Sequence, residues 1–153
     1  DDVPDGHVEC RITSHDAARC GVVLRATEEW GVAVDLDFRR GAVEVRRAYR
    51  HPVAGWGVDV TGFASGDPFQ WGTRYLVDEV RADLQQGRAY HLRCFGRDEH
   101  LEVYLNDRWT FTSVLREAPL AGGVALTVQG GSARFETFRA AGLEPLPRVS
   151  EGI

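Results

Sequence analysis

The chain of 153 residues contains neither methionine nor lysine, so all 18 of its basic residues are arginine. Because it has no initiator methionine and opens on DDVPDG, which is typical of the exit of a linker, we expect it to be part of a longer polypeptide. No apolar run approaches the roughly 20 residues of a membrane-spanning helix. The formal charge of −5 also argues against the basic stripe by which proteins neutralise nucleic-acid phosphates. We therefore expect neither a membrane nor a nucleic acid as a partner.

Recognisable catalytic motifs are also missing. The chain has no GxSxG nucleophile elbow, no phosphate-binding P-loop, no GxGxxG turn and no HExxH zinc motif. Its five histidines show no metal-binding spacing, and neighbouring acids such as Asp35 and Asp37 are typical of solvated strands. A glycosidase needs two carboxyl groups facing one sugar, one of them desolvated enough to hold a proton. We predict no catalytic residue, no metal site and no cofactor in this chain.

Cysteine is scarce, with three residues at positions 10, 20 and 94. A hairpin of residues 8–12 with residues 20–24 would place Cys10 opposite Cys20 on its buried face. The odd count and the lack of metal-type spacing favour small buried thiols. A disulfide between Cys10 and Cys20 stays open for a secreted protein.

Short runs in which apolar and polar residues alternate fill most of the chain. The clearest is 90–114, which reads as three strands joined by turns at Gly96-Arg97-Asp98 and Asn106-Asp107. Gly130-Gly131 marks a further hairpin. Other strands are predicted at 20–27, 32–38, 42–49, 75–84, 123–129 and 132–140, with a short helix as the alternative for 75–84. The sequence predicts an all-β fold, a two-sheet antiparallel β-sandwich of the jelly-roll or lectin-like type.

The alternation also predicts the core and the limits of the domain. Residues 8–143 are expected to form the sandwich, residues 1–7 a linker remnant and residues 144–153 a C-terminal tail. On the middle strand of the 90–114 meander, Glu102 and Tyr104 point outward because side chains alternate across a strand. The predicted core consists of Val22, Leu24, Val34, Leu36, Val43, Val45, Leu92, Leu101, Val103, Leu105, Phe111, Val124, Leu126 and Val128.

Aromatic residues in turns and outward-facing charges are the groups from which carbohydrate sites are built. Rings stack on the CH faces of sugars, and charged or amide groups form paired hydrogen bonds with vicinal hydroxyls. Residues 50–74, rich in glycine and aromatics, are predicted to form either a functional loop or an edge excursion that caps the core. Trp109 alternates with Phe111 and is placed in the core. The candidate carbohydrate-binding residues are Trp30, Arg46, Trp56, Asp67, Trp71, Glu102 and Tyr104. Further outward charges are Arg25, Asp35, Asp37, Glu44 and Arg93.

Three stretches carry a family resemblance: ARCGVVLRA at 18–26, LRCFGRDEHLEVYLNDRWTFTSVL at 92–115 and GGVALTVQGGSARFETFRAAGL at 122–143. They resemble the C-terminal β-sandwich of the glycoside hydrolase family that contains invertases, levanases and inulinases, and the related fructan-binding modules. The Glu-Val-Phe or Glu-Val-Tyr strand of that family matches Glu102-Val103-Tyr104, and its Asn-Asp turn matches Asn106-Asp107. Arg108 stands where the family usually has glycine.

The resemblance implies a non-catalytic module attached to a separate catalytic propeller, in an extracellular setting. The catalytic motifs of the family lie in that propeller. Their echoes here, at Glu9-Cys10, Gly66-Asp67-Pro68 and Asn106-Asp107, are incomplete and out of order. The function implied is binding of a fructan or related glycan. The alternative is a structural domain that supports the propeller or mediates oligomerisation.

Overall fold

A computed structural model describes residues 6–27, 30–52, 69–115 and 123–142, with the backbone alone for residues 49–52, 69–75 and 142. The described residues form ten strands: β1 (Gly6–Ser14), β2 (Arg19–Ala26), β3 (Trp30–Asp37), β4 (Ala42–Pro52), β5 (Phe69–Arg81), β6 (Ala89–Arg97), β7 (His100–Leu105), β8 (Arg108–Val114), β9 (Gly123–Gln129) and β10 (Ala133–Gly142). Within this part of the chain no helix is long and apolar enough to cross a membrane.

The strands build two five-stranded sheets. Sheet A has the order β10-β1-β6-β7-β8, and sheet B has the order β5-β4-β3-β2-β9. The recorded pairings are all antiparallel, including the meander of β6, β7 and β8 that the sequence predicts. The predicted all-β, two-sheet antiparallel architecture is therefore confirmed.

The core lies between the sheets, because apolar side chains occupy alternate positions of the strands. Val22, Val34 and Val45 form one such row across β2, β3 and β4, and they pack in one cluster with Ile12 and Leu92 of sheet A. Ten predicted core residues are buried, and three at the margins are half-buried: Leu105, Val124 and Val128. The prediction that Leu126 lies in the core is wrong, since 44% of this residue is exposed. It lies on β9, one of the two edge strands of sheet B.

The predicted hairpin of residues 8–12 with residues 20–24 is also wrong. Strand β1 lies in sheet A between β10 and β6, whereas β2 lies in sheet B between β3 and β9. The turn between them crosses from one sheet to the other, with the Ala17 N–H donating to Ser14 Oγ at 3.0 Å. The alternation of apolar and polar residues identifies each strand. Two strands of one hairpin and two strands on opposite sheets show the same alternation, so it does not tell which strands pair.

All three cysteines are free and buried in the core. Burial raises the pKa of Cys10 and of Cys20 to about 12. The same cause raises the pKa of Cys94 further. The interpretation of these residues as buried thiols is confirmed.

Strands β4 and β5 extend into the stretch predicted as irregular. They pair from Ala42 with Arg81 to Pro52 with Phe69, so the predicted loop of residues 50–74 is wrong at both of its ends. Two register shifts interrupt this pairing, and such bulges break the alternation by which a strand is recognised in sequence. The strand interpretation of 75–84, and not the helical one, is confirmed as far as Arg81.

Candidate functional site

Ion-paired side chains cover one end of the outer face of sheet B, the face turned away from the core. At the other end of this face Val23, Ala33 and Ala48 form a small buried cluster. The polar end draws residues from all five strands of the sheet and from the turn between β3 and β4. We call it the polar array, and it consists of Arg19, Asp37, Arg40, Glu44, Arg46, Glu79 and Gln129.

Arg19 joins four neighbouring strands. Its Nε donates to Glu44 Oε1 on β4 at 3.1 Å, and its Nη2 donates to Asp37 Oδ2 on β3 at 3.0 Å. Its Nη1 donates to Gln129 Oε1 on β9 at 3.1 Å. Burial acts to lower the pKa of Arg19, but the carboxylates of Glu44 and Asp37 outweigh it and raise that pKa. Because the guanidinium is planar with donors in fixed directions, these bonds hold Arg19 in one orientation.

Glu44 is the centre of the array and is fully buried, although it lies on an outer face. Besides Arg19, it accepts hydrogen bonds from Arg40 Nη1 at 2.7 Å and from Arg46 Nη2 at 2.6 Å. Three guanidinium groups on one carboxylate offset the cost of removing the charge from water. The Nε of Arg46 is buried as well, and it has no acceptor within the described chain. Arg46 is therefore held through its bond to Glu44.

Asp37 ends β3 and fixes the turn that carries Arg40. Its Oδ1 accepts from the backbone N–H groups of Arg39 and Arg40, both at 3.0 Å. Burial acts to raise the pKa of Asp37, but the Arg40 N–H and the Arg19 guanidinium outweigh it and lower that pKa below its ordinary 3.8. From this turn the Arg40 guanidinium donates to Glu79 of β5 at 2.7 Å.

Acid is expected to weaken the domain partly through Asp37. A carboxyl group whose pKa is lowered on folding stabilises the fold fully above its unfolded value, here 3.8, and this contribution is lost as the pH falls through the lower folded value. Urea denaturation of the parent and of Asp37→Asn measures the effect. The difference in unfolding free energy should be largest above about pH 5 and shrink towards about pH 2. A difference independent of pH would contradict the prediction.

Trp30 opens β3 and lines a cavity at the β5 and β8 edges of the sandwich. The Thr27 hydroxyl donates to the carbonyl oxygen of Trp30 at 2.9 Å and closes the preceding turn. The Arg47 guanidinium lies 4.7 Å from the centroid of the indole. The cavity measures about 170 Å³ and is lined by Trp30, Val32, Arg46, Arg47, Val77, Val114 and Leu115. Two predicted site residues, Trp30 and Arg46, thus line one cavity, although the Arg46 guanidinium donates to Glu44 in the polar array.

Glu102 and Tyr104 lie on the outer face of sheet A, on the opposite side of the sandwich from the polar array. The Tyr104 hydroxyl donates to Glu102 Oε2 at 3.2 Å. Desolvation, and then Glu102 itself, raise the pKa of Tyr104. The predicted residues therefore do not form one site, because the structure divides them between two faces.

Trp109 is exposed, and its predicted place in the core is wrong. The register of β7 with β8 shifts, so that Val103 pairs with Phe111 while Tyr104 pairs with Trp109. Thr110 is thus an extra residue, and this β-bulge turns Trp109 to the outer face, where 61% of it is exposed. A bulge depends on cross-strand pairing, which the alternation of a single strand does not reveal.

Three predicted site residues have no described side chain. Trp56 and Asp67 lie outside the described residues, and Trp71 lies in β5, where the backbone alone is described. Their participation stays a prediction.

Sequence reasoning missed Arg19, Arg40, Glu79 and Gln129. All but Glu79 lie beside or within a turn, where a polar residue needs no special explanation. The interpretation of Asp35 and Asp37 as solvated acids is wrong, because both are buried on β3. Buried carboxylates require cations from neighbouring strands, and Arg19 is such a cation.

Taken together, the fold and the polar outer faces define a lectin-like β-sandwich. The family model "Glycosyl hydrolases family 32 C terminal" matches residues 3–141. The chain belongs to this family of C-terminal hydrolase domains. The predicted resemblance is confirmed, and the match to the C-terminal rather than the catalytic part of these enzymes confirms the prediction of a non-catalytic module.

Solved structures of similar fold include a carbohydrate binding module and two galectins. The carbohydrate binding module CBM66 from Bacillus subtilis has a TM-score of 0.72 and 16% identity, over 92% of this chain and 76% of that one. The galectin LEC-6 from Caenorhabditis elegans has a TM-score of 0.60 and 14% identity, over 91% of this chain and 84% of that one. Chicken galectin 2 has a TM-score of 0.55 and 12% identity, over 89% of each chain. Comparison with curated protein sequences gives no match.

Proposed function

We propose that this domain is a non-catalytic carbohydrate-binding module whose ligand binds at the polar array. The observation that carries the proposal is the fixed arrangement of Arg19, Arg40 and Arg46 around the buried carboxylate of Glu44. Polar groups already held in place lose little conformational freedom when a ligand binds. The family match and the fold shared with a carbohydrate binding module and galectins support the same class of function.

The charge balance of the array favours a neutral ligand. Its three arginines pair with the carboxylates of Asp37, Glu44 and Glu79, and the buried Asp35 lies opposite Glu44 on β3, so charges of both signs occur side by side. An anionic ligand would meet carboxylates, and a cationic ligand would meet guanidinium groups. Vicinal hydroxyls of a sugar can instead accept from a guanidinium and donate to a carboxylate at the same time.

We narrow the ligand to a fructan such as levan or inulin, on the basis of the family resemblance to levanases and inulinases. The same resemblance makes a catalytic propeller of the parent polypeptide the expected neighbour, in an extracellular setting. In this arrangement the module raises the effective concentration of the catalytic domain at its substrate. Trp71 pairs with Arg50, six residues along β4 from Glu44, so it lies beyond the polar array. Trp56 and Trp71 are proposed to stack on further units of a longer fructan chain, and Asp67 to bind hydroxyls of that chain.

Arg46→Ala tests the proposal by isothermal titration with levan, inulin and a control glucan. Loss of a charged hydrogen-bond donor is expected to weaken fructan binding by about tenfold to a hundredfold. Arg134→Ala, on the exposed edge strand β10, is the matched control and should leave binding unchanged. Absence of binding by the parent protein at millimolar concentrations would overturn the proposed function.

The second candidate function is a structural one, in which the domain supports the propeller or a sister subunit. Exposed apolar side chains on the neighbouring edge strands β5 and β8 favour it: Leu76, Val77 and Val114. Such a patch fits a protein partner better than a sugar. This role would be established if the unsubstituted domain bound no glycan but associated with the catalytic domain of its polypeptide.

A further inference from the structure

The outer face of sheet A carries a second set of groups suited to a sugar. Trp109 Nε1 donates to Thr112 Oγ1 at 3.1 Å, which anchors the indole against β8. In a regular strand residues three apart point to opposite faces, and the bulge at Thr110 brings these two to the same face. A large apolar ring is therefore held in water with a defined orientation.

Trp109 is the ring on this face that remains available for stacking. His7 stacks on Phe95 with centroids 4.5 Å apart and planes 12° apart, and Tyr104 meets Phe95 at 5.5 Å in an edge arrangement. The Arg93 guanidinium lies 5.3 Å from the Tyr104 centroid. Within the described chain no ring or guanidinium packs on Trp109.

Hydrogen-bonding groups of both signs surround this ring. Glu102 pairs with Thr112 across β7 and β8, and its carboxylate accepts from the Tyr104 hydroxyl. Arg93 Nη2 lies 3.1 Å from Asp107 Oδ1 in the turn that precedes Trp109. Because carboxylates and a guanidinium occur side by side, this face favours an uncharged ligand rich in hydroxyls.

Glu102 also borders a depression on the same face. The depression measures about 400 Å³ and is lined by Phe95, Arg97, Asp98, His100 and Glu102. Its volume falls in the range of small-ligand pockets. Since Glu102 borders both Thr112 and the depression, a chain that stacks on Trp109 can continue into it. The surface thus fits two or more sugar units.

We propose that the outer face of sheet A is a second carbohydrate-binding site, at which Trp109 stacks on one ring of a neutral glycan and Glu102 binds hydroxyls of the next. This inference rests on the proposed function for the class of ligand but not for its location, because the polar array lies on the other sheet. Two sites on opposite faces allow one domain to bind two chains of a polysaccharide.

Titration of the full chain with a short levan oligosaccharide and with levan tests the second site. The parent should bind two oligosaccharides, whereas Trp109→Ala should bind one and should show a twofold to tenfold lower affinity for levan, on the order expected for a lost ring stack. Trp109→Phe keeps a ring and should retain most of the binding. Because Trp109 is exposed, its replacement should not alter thermal unfolding, which is measured alongside.

Parallel titration of Arg46→Ala separates this inference from the proposed function. Unchanged binding by Trp109→Ala together with weaker binding by Arg46→Ala would overturn the second site and leave the polar array as the site. Weaker binding by Trp109→Ala together with unchanged binding by Arg46→Ala would support the sheet A site and overturn the proposal that the ligand binds at the polar array. No binding by the parent would overturn both. A change of oligomeric mass in Trp109→Ala with unchanged levan binding would identify the face as a protein contact and overturn the inference.

Discussion

Glu44→Ala is expected to lower the free energy of unfolding by about 3–5 kcal/mol, the range for removing one partner of a buried ion pair. The Glu44 carboxylate is fully buried and accepts hydrogen bonds from Arg19, Arg40 and Arg46. Without it, three guanidinium groups lie close together, and the side chain of Arg46 is itself mostly buried. The same change should weaken glycan binding at the polar array, because Glu44 accepts hydrogen bonds from all three of its arginines.

Urea denaturation near neutral pH measures this effect, with Glu79→Ala as the matched control. Glu79 is partly exposed and pairs with Arg40, so its loss should cost no more than about 1 kcal/mol. Glu44→Gln keeps an acceptor but not the charge. Its loss of unfolding free energy should lie between those of Glu44→Ala and Glu79→Ala. If the unfolding free energy of Glu44→Ala lay within about 1 kcal/mol of the unsubstituted protein, the burial of these arginines would not depend on the Glu44 carboxylate.

The sequence predicted those parts of the fold that depend on local alternation. Strands β3 and β4 alternate cleanly, and their inward residues Leu36 and Val43 are buried as expected. Which strands pair with each other, in contrast, depends on residues that are distant in the sequence. Nothing in the spacing of residues 8–24 distinguishes a hairpin from a crossing between sheets, and residues 50–52 show no alternation although they pair with β5.

The candidate site was predicted in part for the same reason. Glu102 and Arg46 point outward because their strands alternate, but their separation onto two faces depends on which sheet each strand joins. Trp109 was misplaced because one extra residue in β8 reverses the side to which it points. Arg19 was missed because its role comes from acids on two other strands, Asp37 and Glu44.

Gly21→Ala is expected to lower the free energy of unfolding by about 3 kcal/mol, the upper end of the usual range for overpacking. Gly21 lies in β2, which is paired on both sides by β3 and β9, and it is opposite Asp35 of β3. A Cβ at this position would lie 1.9 Å from the carbonyl oxygen of Val34 and 2.8 Å from the Cα of Asp35. Both are backbone atoms of the neighbouring strand, so the clash is relieved by moving β2 away from β3.

Such a movement would also separate Arg19, two residues before Gly21, from Asp37, so glycan binding at the array should weaken together with stability. Strand propensity alone predicts that Gly21→Ala raises the free energy of unfolding, because glycine weakens the interior of a strand. Gly123→Ala is the matched control, since its Cβ would meet the carbonyl oxygen of Ala26 at an ordinary 3.8 Å. Its unfolding free energy should stay within about 0.5 kcal/mol of the parent in urea denaturation. If Gly21→Ala proved as stable as this control, the close approach of β2 and β3 would be refuted, and with it the packing that positions Arg19 in the polar array.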